Sequence, residues 1–227
     1  MAQTVTFNGA DTSKFQNGKM NWEAYKNAGG TFGILRIGYS GVKDPYFDSD
    51  FTKICNAGLL KGVYIYSYAD TIEEAEKDAK DCIKWLGGKK LDMPIFFDIE
   101  DDKQKYSKLA TAKTKQAKKD LNSAMYNAFA KIIRNNGYGA GMYTGESFYN
   151  TYFNLDILDH DMLWIAKYST KSPKLNDNRK IDIWQYTSGE VNNSYYKGKL
   201  DRNYWYVDVT EQKAPEPKPQ IVTGSGL

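Results

Sequence analysis

Asp98 and Glu100 stand two residues apart at the end of the apolar run Ile95-Phe96-Phe97. Side chains of an extended strand alternate between faces, so Phe96, Asp98 and Glu100 point one way and Ile95, Phe97 and Ile99 the other. At the usual strand rise the Cα atoms of the two acids are roughly 6.6 Å apart. Two carboxyl groups so placed can work on one substrate atom, one supplying a proton while the other carries negative charge. Asp-x-Glu alone is also what a solvated acidic turn looks like, so its surroundings must decide. Two further acids, Asp11 and Asp201, fall at the ends of strand-like runs. If the four converge, mutual repulsion keeps at least one protonated near neutral pH, as a general acid requires.

Rival chemistries lack their parts. His160 is the only histidine and sits in the polar turn Leu158-Asp159-His160-Asp161, so a nucleophile system built on it is disfavoured. One histidine and two distant cysteines do not make a zinc site, and no cofactor or metal is implied. No G-x-x-x-x-G-K-[ST] loop is present to cradle phosphates. Carboxylate pairs without metal ligands point to glycoside hydrolysis.

The elements that must position these acids follow a strand–helix rhythm. Strands are expected at Val5–Asp11, Phe32–Tyr39, Gly62–Ala69, Ile95–Asp101, Tyr138–Thr144, Met162–Tyr168, Ile181–Thr187 and Asp201–Tyr206. Helices open at Asn21 as N-cap, cover Asp48–Ala57 before Gly58, follow the Thr71-x-x-Glu74 capping pattern, and run from Thr111 to Asn136 before Gly137. Helices are short or missing between the last three strands. Such alternation implies a parallel sheet, and about eight strands in one domain imply a single closed, TIM-like barrel of the α/β class. An open doubly wound sheet would carry G-x-G-x-x-G after its first strand, which is absent. In a barrel of this kind, sites are built at the C-terminal ends of the strands. Asp11, Asp98 and Glu100 comply, whereas Asp201 starts its strand.

Composition agrees with one globular domain: 227 residues, 41% hydrophobic, 26% charged, formal net charge +3. No apolar run is long enough to span a bilayer, so membrane insertion is not expected. The N-terminus lacks the pattern of a secretory signal, so synthesis in the cytoplasm with later release or export is expected. Cys55 and Cys82, each beside apolar residues, read as buried core thiols. Seven lysines and no acid between Lys103 and Lys119 read as a solvated face or as an attractor of an anionic partner; nucleic-acid binding is disfavoured by the modest overall charge. Residues 1–209 are expected to form the barrel. Residues 210–227, with Pro215, Pro217 and Pro219 among charges, read as a linker or tail leading to a missing C-terminal module.

Seven landmarks in order carry a resemblance: Gly9-Ala10-Asp11-Thr12-Ser13 with Gln16, Leu35-Arg36-Ile37-Gly38-Tyr39, Gly62-Val63-Tyr64-Ile65-Tyr66, Phe97-Asp98-Ile99-Glu100, Trp164-Ile165-Ala166-Lys167-Tyr168, Trp184-Gln185-Tyr186 and Leu200-Asp201-Arg202-Asn203. Over residues 5–208 the chain resembles glycoside hydrolase family 25, the Chalaropsis-type lysozymes found among phage endolysins and bacterial autolysins. The resemblance implies a modified β/α barrel that cleaves the β-1,4 bond between N-acetylmuramic acid and N-acetylglucosamine in peptidoglycan. It implies Glu100 as general acid, Asp98 as its partner, and Asp11 and Asp201 as supporting acids. Arg36, Tyr66, Tyr143, Trp164, Tyr168 and Gln185 become candidates for the groove wall, with Arg36 balancing the negative cluster. Departures are few: Ala10 replaces a larger aliphatic and Ile65 a frequent histidine. A retaining reaction assisted by the substrate's acetamido group is expected. The competing reading is a non-catalytic glycan-binding module on the same barrel; a chitinase-like enzyme lacks its acidic run before Glu100.

Overall fold

In the computed structural model, which describes residues 4–100, 112 and 114–208, the stretch Ile95–Asp98 is the buried strand β5 of a closed barrel. Before it come β1 (Thr4–Thr12), helix α1 (Trp22–Asn27), β2 (Phe32–Tyr39), the short β3 (Val42–Lys43), α2 (Phe47–Ala57), β4 (Leu60–Tyr66) and α3 (Ile72–Leu86). After it come α4 (Lys115–Asn135), β6 (Ala140–Gly145), α5 (Glu146–Tyr152), β7 (Met162–Ala166), β8 (Ile183–Thr187), the hairpin β9 (Glu190–Asn192) and β10 (Lys197–Lys199), and β11 (Asp201–Asp208). The ring runs β1, β2, β4, β5, β6, β7, β8, β11 and back to β1. The proline-spaced segment and all of the basic run before Lys115, apart from Ala112 and Thr114, lie outside the described residues.

Around the ring the parallel expectation holds from β1 to β8 and fails at the last strand, while β3 is a short antiparallel addition to β2 outside the ring. β11 is antiparallel to both β8 and β1. The cause is the connection: a parallel return needs a crossover, usually a helix, whereas β8 is followed by a hairpin and no helix. The β11 strand therefore starts at the end of the barrel where the parallel strands finish. That places Asp201 directly opposite Asp11 in the ladder.

Alternation sorts side chains into two apolar layers. Ile95, Phe97 and Ile99 face outward with Leu35, Val63, Ile65 and Ile165 into the layer covered by helices, where the Phe97 ring meets Phe129 of α4 at 4.7 Å. Phe96 faces inward with Phe32, Ile34, Trp164 and Ile183. The interior is packed because aromatic rings lie over glycines. A Cβ on Gly141 would come within 2.5 Å of the Phe96 ring, and one on Gly9 within 2.1 Å of Phe32.

The helices obey their local signals. The Asn21 and Thr71 side chains each accept the backbone N–H three residues on, satisfying a donor that the first turn leaves free. The second half of the capping box is shifted, since Glu74 accepts from the Asp70 N–H rather than from Thr71. On α2 the stripe Phe47, Phe51, Ile54 and Ala57 is buried; Cys55 falls off it and is exposed, contrary to its reading as a core thiol. Cys82, on the stripe of α3, is fully buried.

Candidate active site

The mouth of the barrel opens into a cavity of about 360 Å³ whose lining includes every acid singled out from sequence: Asp11, Asp98, Glu100 and Asp201. β5 ends at Asp98, three residues earlier than expected, yet the ladder continues because the Ile99 N–H donates to Tyr143 O at 3.1 Å. Glu100 therefore shares the cavity with Asp98 although it has left the strand. In a ring of eight, β5 and β11 are four strands apart. Asp98 and Glu100 thus approach from one side of the mouth, Asp201 and Asp11 from the other.

Asp11 is held by two amides. Its Oδ2 accepts from Gln185 Nε2 at 3.0 Å and from Asn203 Nδ2 at 2.8 Å. Each amide is fixed in turn: Gln185 Oε1 accepts from the hydroxyls of Tyr143 and Tyr168 at 2.8 and 2.9 Å, and Asn203 Oδ1 from Trp164 Nε1 at 2.8 Å. Burial, and then the Asp201 charge, push the Asp11 carboxyl well above its ordinary value, against the pull of these two amide donors. Asp201 is pushed up to about 6 by burial and by the Glu100 charge. Both shifts run in the direction that crowding favours, with burial the larger cause.

The groove candidates divide by depth. Tyr168 is 60% exposed at the rim and Tyr66 is half-buried, whereas Tyr143, Trp164 and Gln185 are buried at the base. Trp164, expected as wall, is floor, with its ring 4.4 Å from Tyr143 and 5.3 Å from Phe96. Arg36 lines the cavity but does not balance the acid cluster. Its Nε and Nη2 meet Asp44 Oδ2 at 2.9 and 2.8 Å in a buried pair that occupies its charge. The sequence reading missed that partner, because Asp44 comes from the turn beyond β3. It also missed Asn203, for which the signal was its alternation with Asp201 on β11. Lys14, Phe15, Tyr39 and Tyr68 complete one end of the cavity. His160 is exposed and outside it.

Carboxyl groups converging on an open, aromatic-lined mouth, two with raised affinity for protons, make the equipment of a glycoside hydrolase. The chain belongs to glycosyl hydrolases family 25, whose model matches residues 10–214. It is similar to lysozyme M1 of Streptomyces globisporus, 24% identical over 89% of this chain and 68% of that one. Among solved structures it is similar to the modular autolysin LytC of Streptococcus pneumoniae (TM-score 0.74, 27% identity, 88% of this chain and 47% of that chain). A family 25 glycosyl hydrolase from Bacillus anthracis shares the fold (TM-score 0.72, 23% identity, 90% and 91%).

Proposed function

We propose that the chain is a muramidase that hydrolyses the β-1,4 bond between N-acetylmuramic acid and N-acetylglucosamine in peptidoglycan, with Glu100 as the acid that protonates the leaving oxygen. The observation that carries this reading is the meeting of four carboxyl groups in one cavity while Arg36 is committed to Asp44. Carboxylates gathered in this way are suited to a reaction centre that becomes positive. Asp98 steadies the species formed when the substrate's own acetamido oxygen attacks the anomeric carbon, a recognised departure from the two-carboxylate scheme. Asp11 and Asp201 hold the sugar and raise the proton affinity of the cluster. Tyr66 and Tyr168 contribute groove walls. The Lysozyme M1 and autolysin relatives support the substrate.

The site of action is the bacterial wall, reached after release or export. A wall-binding module attached through the proline-spaced segment fits the modular build of the LytC autolysin. Incubation with purified cell walls tests the activity: turbidity falls and muramyl-ended fragments appear in the mass spectrum. Walls left intact but decorated with protein would favour the glycan-binding alternative. Proton NMR of the first-formed anomer tests the route. A β anomer is expected, and an initial α anomer would mean that Asp98 activates water instead.

A further inference from the structure

Tyr143 on β6, Trp164 on β7, Gln185 on β8, Asn203 on β11 and Asp11 on β1 come from five consecutive strands of the ring, and hydrogen bonds join them inside the barrel. The bonds end on one atom, Asp11 Oδ2. An indole nitrogen can only donate, so Trp164 Nε1 settles which end of the Asn203 amide is the oxygen, and Nδ2 is left to face Asp11. The hydroxyls of Tyr143 and Tyr168 hold Gln185 in the same sense, both meeting its Oε1. Burial and neighbouring acid charges keep both phenols above the ordinary tyrosine range, so they stay protonated and able to donate.

Resting on the muramidase reading, we infer that Trp164 and Asn203 are positioning residues of the reaction: the indole N–H locks the Asn203 amide as a donor, and the amide holds Asp11 with Oδ2 occupied and Oδ1 left for the sugar. Neither residue serves by touching substrate. Trp164 and Asn203 are each 1% exposed, too little for a sugar to rest on. The two locks at Asp11 are unequal, since the Gln185 oxygen has two donors and the Asn203 oxygen one. Asn203 is therefore the amide that a single substitution releases.

The lock also acts on charge. Burial and the Asp201 and Glu100 charges favour a protonated Asp11, and the amide donors of Asn203 and Gln185 oppose them. Of the other groups around the cavity, Asp98 lies on β5, Arg36 on β2 is committed to Asp44, and Tyr64 on β4 is kept neutral by burial. None of these bonds Oδ2, so among the described residues the two amides alone oppose the proton there. Without the indole N–H, the Asn203 amide can turn its oxygen toward Asp11, an arrangement that only a protonated carboxyl accepts. Asp11 then keeps its proton to higher pH.

A double-mutant cycle in the full chain tests the positioning: Trp164→Phe, Asn203→Ala and the two combined, each assayed on soluble peptidoglycan fragments across about pH 4–8. Trp164→Phe keeps an aromatic ring against Tyr143 and Phe96 but has no N–H. It should lower kcat about tenfold, leave KM within about twofold and move the acidic limb of the kcat profile up by about one unit. Added to Asn203→Ala, it should change neither kcat nor the limb any further. Equal losses in both backgrounds would assign Trp164 to packing, and a loss confined to KM would assign it to contact with the sugar; either overturns the inference. A second measurement needs neither a variant nor activity. In the unmodified chain the Trp164 indole N–H, assigned by its NMR cross-peak to the Asn203 amide, should shift as the Asp11 and Asp201 carboxyls titrate. A missing cross-peak, or an indole signal indifferent to that titration, would overturn the lock itself. A wild-type chain that releases no fragments while its indole responds as expected would overturn the muramidase reading and leave the lock standing.

Discussion

The two pairs of acids at the barrel mouth are assembled by different means. Asp98 and Glu100 are neighbours along one chain segment at the end of β5, where strand alternation points them to the same side. Asp11 and Asp201 are neighbours across a ladder, brought face to face by the antiparallel register of β1 and β11. Burial is the first cause of the raised proton affinity of both carboxyls, joined at Asp11 by the Asp201 charge opposite it and at Asp201 by the Glu100 charge. The first pair is cheap to build and placed for chemistry. The second is buried at the ladder, and its proton affinity is raised by that burial and by neighbouring acids, Asp201 for Asp11 and Glu100 across the mouth for Asp201.

If that contrast is right, the largest effects belong to the β5 pair. Glu100→Gln and Asp98→Asn should each lower kcat on cell walls by about 10²–10⁴ while the thermal midpoint stays put. Near-normal turnover in either would dissolve the division of labour. Asp11→Asn and Asp201→Asn should cost less, about a hundredfold or below. Losses equal to those of the β5 pair would show that all four act as one unit.

Stability should move in the opposite direction. With its folded pKa raised from 3.8 to about 6, Asp201 binds its proton more tightly in the folded state. Between those pH values stability falls as pH rises, and above about 6 the penalty is complete. Asp201→Asn should therefore stabilise the chain at pH 7 by on the order of 1–2 kcal/mol and confer nothing below the ordinary carboxyl range, as urea titrations at pH 7 and pH 3 would report. An equal gain at both pH values would place its origin outside the carboxyl charge. The smallest effect lies outside both pairs: Thr71→Ala removes the α3 cap and should cost about 1 kcal/mol without altering activity per folded molecule.

The same contrast explains what the chain disclosed before folding. Asp98 and Glu100 were legible because spacing along a strand is a local property. So were the eight strands and the capped starts of α1 and α3, which depend on neighbours within a few residues. The place of Asp201 was ambiguous because it depends on the direction of β11, which the missing crossover helix sets. Arg36 looked like a counter-ion to the acid cluster until the turn after β3 brought Asp44 against it. Trp164 and Asn203 belong to a hydrogen-bonded layer beneath the acids whose partners lie 39 residues apart in sequence. Cys55 failed for a smaller reason: one position of rotation on α2 separates it from the buried stripe.

Because β1 and β11 zip together, with Thr4 opposite Asp208, the barrel closes on the strand that leaves the ribosome last among those described. Closure of this kind is a contact of long sequence separation, the slowest sort to form. Until it happens, Asp201 and the Asn203 amide are missing from the mouth, and Asp11 has neither its opposing charge nor one of its two anchors. A nascent chain thus carries the β5 pair without the apparatus around it. The hydrolase becomes competent in a single late step rather than by degrees.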